Sequence, residues 1–386
     1  MSGRLASVIA VAAVLLGAAV GFSANARADA IASGTADPAL CAPPPLGFGP
    51  GEGLNDPTMP PTIGDVRIAM LFVDFADAPG DSTPQSISAA YAPYVTEWYE
   101  RVSYGRLHLS VQPVQRWLRL PRTLAAYRGE GFDGAFEAAV TAAEGELDFS
   151  RFAAVYLILP RAAGPLASTI VDHEPHAVGG AAIRSWVWLS ADSLDVARAN
   201  VLVHETGHVL GLPDLYGERS RAASMHRWDV MAAGGPSGLF AWHRWKLGWL
   251  DARQVVCLRR STSTLTLTPL ERPGGTKAVM VRSGNGVVVI EVRQRLGEDR
   301  AICRAGVLFS RVDFVRGDPD RELAVPISIR AAQRATPRNL GRCGPQWRVP
   351  FRLRRREPSG ATAYSVQLRL LRAFADGSYR VRVTIR

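Results

Sequence analysis

Two histidines four residues apart, with a glutamate beside the first, are the side chains of this sequence best suited to hold a metal and move a proton: His204-Glu205-Thr206-Gly207-His208. On a helix, positions i and i+4 share a face, so both imidazoles can reach one ion. Glu205 sits about 100° further round, where it can meet a water beside the metal but not the metal itself. That is the place for the general base of a hydrolase. A catalytic zinc also needs a third protein ligand and an open position. Asp214 supplies a ligand-type side chain three residues after Gly211, where the helix is expected to end, and Pro213 keeps it from resuming. Because Asp214 adds negative charge, water at this metal should be less acidic than beside three histidines, which leaves more of the proton removal to Glu205. The five-residue motif alone is weak, since an amphipathic surface helix can carry it by chance. Gly211, Asp214 and an export signal make it more specific.

The elements that must position these residues can be read around them. Asp192 and Ser193 are N-cap candidates for the metal-bearing helix, and Asp195 places negative charge in its first turn. Leu202 with Val209, and Val203 with Leu210, can bury its back. Apolar runs predict strands over 66–73, 107–117, 153–159 and 185–189. A helix is predicted over 89–104 and ended by Gly105, with Pro93 either inside it or marking its first turn. From Asp251 the texture changes to alternating segments around Ser283-Gly284-Asn285-Gly286 and Asp376-Gly377, which are hairpin signals. The fold class expected is α+β: a catalytic domain over residues 63–250, then a mostly β, sandwich-like domain over 251–386.

Residues 1–26 have the layout of a secretory signal peptide: Arg4, an apolar run, and small-residue cleavage patterns ending at Ala26 and Ala30. The alternative is an uncut membrane anchor. Residues 27–62, rich in Pro, Gly and Ala, read as an extended N-terminal segment or a short pro-region. The mature protein is expected to be secreted, where four cysteines favour two disulfides. Cys303 and Cys343 share the β domain and should pair, leaving Cys41 to Cys257. A different use of Cys41, as a thiolate capping the metal before activation, would leave one cysteine odd. The net charge of +10 rests almost wholly on arginine. Many arginines alternate with apolar residues, as in 379–386, which reads as a solvated strand face and not as a nucleic-acid site. The Arg352–Arg356 cluster leaves contact with anionic surfaces open.

The metal motif with Gly211 and Asp214 resembles the extended zinc motif of metzincin-type peptidases in their Asp-ligand variety. Residues 228–235 resemble their Met-turn, which would set Met231 beneath the metal. Residues 241–250 are similar to the helix closing the catalytic domain of bacterial immune-inhibitor-A-type metallopeptidases, and residues 72–77 and 98–105 to its early strand and helix. The likeness spans roughly 66–250 and extends weakly to 288–293. It implies a secreted zinc endopeptidase acting on protein or peptide substrates, often with structural calcium. Asp74, Asp77 and Asp81 could serve calcium, although their spacing fits no defined loop. Tyr216, His226 and His243 could reach the cleft, but each is more often structural, as is the stripe of Trp242, Trp245 and Trp249. His173 and His176 read as exposed loop residues. Two other functions compete: an exported surface-binding protein with a zinc site and little or no peptidase activity, and a zinc hydrolase of other amides or esters.

Overall fold

The computed structural model describes residues 35–36, 38–43, 52, 59–130, 132–178, 181–196, 200–215, 225, 228–232, 237–259, 262–302, 304–314, 324–326, 360–363 and 365–386. The segment 1–26 expected to be a signal peptide, Cys303, Cys343, Tyr216, His226 and the Arg352–Arg356 cluster lie outside them. Within them the fold is mixed α and β, with three sheets. The first described strand is β1 (Thr35–Ala36).

The run at 66–73 is the middle of β2 (Gly64–Asp74), and that at 153–159 is β4 (Ala154–Leu159). Both are apolar at nearly every position because both faces of their sheet are covered. Val66, Ile68, Met70 and Phe72 face one core, while Ala69, Leu71 and Val73 face the other. α1 (Pro84–Val102) leads to β3 (Leu107–Arg119), which pairs parallel with β2. This helix starts earlier than the sequence suggested. Thr83 caps it by accepting the amide of Ser86 at 3.2 Å, Pro84 takes the first turn, and Pro93 lies inside. Two helices not foreseen, α2 (Leu124–Gly129) and α3 (Asp133–Ala143), line the second core.

After β4 come β5 (Ala167–Val178) and β6 (Ala181–Ser190). The five strands run in the order β3-β2-β4-β6-β5, parallel except for β5, which pairs antiparallel with β6 and forms one edge. His173 and His176 therefore lie on a strand, not in a loop. His176 is half-buried, edge-on to Trp186 at 4.7 Å. α4 (Ala191–Val196) and α5 (Asn200–Val209) follow, and α6 (Ala241–Lys246) lies beyond. The amide of Ser193 is capped by Ser190 Oγ at 3.2 Å, so the capping side chain precedes Asp192 and Ser193.

The remaining strands form two antiparallel-rich sheets. β7 (Val255–Leu258), β9 (Ala278–Arg282), β10 (Gly286–Arg293), β11 (Gly306–Asp313) and β12 (Ala324–Pro326) join β1 in one. β8 (Thr262–Leu267), β13 (Gly360–Ala363), β14 (Val366–Ala373) and β15 (Tyr379–Ile385) make the other. The expected hairpins are present at both turns. The two sheets share a core of Val279, Val288, Ile290, Phe309, Leu368, Val381 and their neighbours. A different core continues across residue 250, where Met280, Val289 and Leu308 pack in the same cluster as Trp242 and Leu202.

Cys41 is bonded to Cys257 across a sequence separation of 216, so Cys41 is no free thiolate. With Thr35–Ala36 paired to β7, the described parts of the N-terminal segment are built into the fold. Closing so long a loop contributes about 5 kcal/mol by the chain-entropy relation, less any strain. A Cys41→Ser/Cys257→Ser variant should lose ~2–5 kcal/mol in urea unfolding. An unchanged midpoint would mean the bond adds nothing to equilibrium stability.

Candidate metal centre

α5 carries the motif on one buried turn, and its end brings the third side chain round. Gly211 has φ +85°, a left-handed conformation that glycine adopts without strain. Leu212 N–H donates to Gly207 O at 2.9 Å and Gly211 N–H to His208 O at 2.9 Å. This is a Schellman closure, and it turns the chain back so that Asp214 returns over the helix.

The three expected ligands converge. Asp214 Oδ1 lies 3.1 Å from His204 Nε2 and 3.4 Å from His208 Nε2, and the two Nε2 atoms are 3.2 Å apart. Four-coordinate ligands about 2.0–2.1 Å from a tetrahedral ion are themselves roughly 3.3 Å apart. The proton positions argue the same way. His204 Nδ1 is 3.0 Å from Val230 O and His208 Nδ1 is 2.7 Å from Leu212 O. A carbonyl only accepts, so both Nδ1 atoms carry protons, and the nitrogens that face inward as possible ligands are the two Nε2 atoms. Asp214 Oδ1 is buried with no well-formed hydrogen bond. Burial alone would raise the Asp214 carboxyl, but the two imidazoles outweigh it and hold it well below the usual carboxylate range. Two inward nitrogens and a buried anionic oxygen at these distances can hold a cation between them. Among the described residues this is the one group of three or more such side chains whose donor atoms meet. It can hold a metal ion.

Glu205 is buried beside this group. Thr169, on the edge strand β5, places its hydroxyl 2.6 Å from Glu205 Oε2 and 3.0 Å from Glu205 O. The sequence did not suggest this contact, because nothing marked residues 167–178 as a strand.

Met231 packs against the helix from below. A Cβ on Gly207 would stand 2.4 Å from Met231 Sδ, so glycine at this position lets the methionine come this close to the helix. Leu215 N–H donates to Met231 O at 3.0 Å, tying the segment after Asp214 to the same turn. Asp229 holds that turn by accepting from Met231 N and Phe240 N, each at 2.8 Å. Asp229 also bonds His243 Nδ1 at 3.0 Å. His243 is thus a wholly buried support and does not reach the cleft. Its other nitrogen meets Glu52, a fully buried carboxylate from the N-terminal segment that also accepts from Trp242 Nε1 at 2.9 Å and Lys246 Nζ at 3.3 Å. Trp249 Nε1 donates to Thr62 O at 2.7 Å. The tryptophans of α6 and its end are therefore packing residues, with Trp245 partly buried. From the β sandwich, Arg293 reaches Trp228 O at 2.6 Å and Glu291 accepts Ala241 N at 2.7 Å.

The three aspartates considered for calcium are used separately. Asp74 accepts two bonds from Arg119 at 2.7 and 2.8 Å, Asp77 accepts Leu124 N at 2.8 Å, and Asp81 accepts from Ser82 Oγ at 3.1 Å. No known protein family matches the chain, and no curated protein matches it.

Proposed function

We propose that this protein is a secreted zinc-dependent endopeptidase with a metzincin-like catalytic region over residues 63–250. The observation that carries the reading is the convergence of two inward-facing imidazole Nε2 atoms and a buried carboxylate oxygen, beside a glutamate that is not one of them. Two nitrogens and one oxygen suit zinc, and three protein ligands leave the open position of a catalytic site. The Cys41–Cys257 disulfide supports export. Met231 under Gly207 supports the likeness to a Met-turn.

Zinc bound to His204, His208 and Asp214 would acidify a water at its open position and polarise the scissile carbonyl. The chain's own residues do the rest. Val230 O and Leu212 O fix both imidazoles as Nε2 ligands. Glu205 takes the proton of the attacking water and later delivers it to the leaving amine nitrogen. Thr169 holds one oxygen of that carboxylate and leaves the other for the water. The decisive experiment is a zinc assay together with cleavage of a peptide library by the mature protein. Stoichiometric zinc with internal cleavage is expected. Zinc without peptide cleavage would favour another amide or ester, and no bound metal would remove the reading altogether.

Thr169 gives a sharper expectation within this mechanism. Thr169→Val keeps the shape and removes the hydroxyl, so kcat should fall about tenfold, on the order of one lost hydrogen bond to a charged group. KM and zinc content should hold, and Thr169→Ser should restore the rate. Equal kcat in Thr169→Val would show that the hydroxyl does not position Glu205.

A further inference from the structure

The charge of this chain is divided very unevenly. Residues 1–326 hold 31 basic and 33 acidic side chains, whereas residues 327–386 hold 14 arginines against Glu357 and Asp376. The last 60 residues are net +12 and everything before them is net −2. An imbalance of this kind points to an anionic partner.

Three strands give part of that charge a surface. β14 and β15 pair so that Arg369 stands opposite Arg382, and Arg372 opposite Arg380. β8 continues the sheet with Thr264 opposite Arg382 and Thr266 opposite Arg380. Val366, Leu368, Leu370, Val381 and Val383 point inward against the larger sheet. The alternation sends the four arginines and both threonines to the other face, where all six are exposed. Like charges placed directly across a strand pair are destabilising. No carboxylate among the described residues relieves them. The contacts they make are with neutral groups: Arg382 Nε lies 3.5 Å from Thr264 Oγ1, and the Arg372 guanidinium sits 4.8 Å over the Phe374 ring. The 327–359 stretch brings nine further arginines and one glutamate, so by composition it adds to the charge.

We propose that the outer face of the β8-β15-β14 sheet binds an acidic polysaccharide, a sugar chain bearing carboxylate or sulfate groups at regular intervals. Guanidinium forks pair bidentately with such groups. Facing arginines stand about 4.8 Å apart across the strands, and Arg380 and Arg382 about 6.8 Å apart along β15, while a register shift between Leu370 and Arg372 keeps Arg372 opposite Arg380. Threonine hydroxyls beside them can bond sugar hydroxyls. Other polyanions fit less well. The exposed positions of these strands present no aromatic ring on which a base could stack. The large apolar side chains exposed among the described residues, Leu40 and Ile63, lie outside these strands, so nothing here would enter a bilayer. The inference does not depend on the peptidase reading, and its test does not use hydrolysis.

The test is binding of the full mature protein to alginate, with phosphatidylglycerol vesicles and duplex DNA as rival probes at equal charge concentration. Alginate binding should be the tightest and should weaken as salt rises. Arg369→Gln/Arg382→Gln should lower alginate affinity tenfold or more with an unchanged or higher melting temperature, because a like-charge pair has been removed. Arg372→Gln/Arg380→Gln repeats the test at the second pair. Wild-type affinity in both pairs would overturn the proposal, as would absence of alginate binding. Tighter binding to vesicles or to DNA would overturn the choice of polysaccharide.

Discussion

Glu205→Gln should retain its zinc and lose hydrolysis, with kcat falling by about 10²–10⁴. Asp214→Ala, His204→Ala and His208→Ala should instead lose metal and activity together. The separation follows from geometry. Three donor atoms converge within 4.8 Å of one another, and the Glu205 carboxylate is not among them. It is held by Thr169 at 2.6 Å, one residue along the helix from His204. Replacing it with the isosteric amide leaves all three ligands and their second bonds in place, but an amide cannot take a proton from water. Removing Asp214 acts differently. It leaves His204 and His208 with two inward nitrogens and an ion short of one charge and one ligand. Metal content of purified variants and the rate of peptide hydrolysis would be measured side by side. An active Glu205→Gln enzyme, or full zinc in Asp214→Ala, would show that the roles are assigned wrongly. The ligand variants should also melt lower than Glu205→Gln, since an ion bound only by the folded state stabilises it.

The convergence of His204, His208 and Asp214 could be read from sequence because its geometry is local. Helical periodicity sets His204 and His208 on one face, and Gly211 ends the helix at a fixed distance before Asp214. The hairpins at 283–286 and 376–377 were legible for the same reason, since their turn residues lie within the signal itself. β5 was not legible. It is an edge strand containing Pro175 and His176, with a register shift between Val171 and His176, so it lacks the alternation of a half-buried strand. Thr169 was missed with it. Gly207 could be read as leaving room beside the helix, but not what fills that room, because the atom that excludes a Cβ belongs to Met231, 24 residues on. His243 looked available to the cleft, and only its two carboxylate neighbours, 14 and 191 residues away, reveal its place. Such contacts arise from tertiary packing and leave no periodic trace.

Glu52 was the least legible residue, a lone acid in a Pro- and Gly-rich stretch, and its removal should be among the most costly to stability. Its carboxylate is fully buried with His243, Lys246 and the Trp242 indole, and His243 lies between it and Asp229. Burial alone would raise the Glu52 carboxyl, but the charges of Lys246 and His243 outweigh it and bring it down to about 2 from 4.5. Burial likewise opposes charge on His243, yet Asp229 and Glu52 raise it from 6.5 to about 9. A lowered carboxyl contributes stability above its unfolded value, which is lost as pH falls towards the folded one. A raised imidazole contributes below its unfolded value, which is lost as pH rises towards the folded one. The two overlap in full between pH 4.5 and 6.5. Glu52→Gln should therefore cost about 3–5 kcal/mol near pH 5.5, the usual result of removing one partner from a buried ion pair. The deficit should shrink as pH rises from 6.5 to 9 and His243 loses its proton in the wild type. Lys246 keeps part of the deficit in place, because its ammonium remains 3.3 Å from the carboxylate. Urea unfolding of both proteins at pH 5.5, 7.5 and 9 would measure this. A deficit equal at all three values would mean that Glu52 acts through shape and hydrogen bonding alone, without the His243 charge.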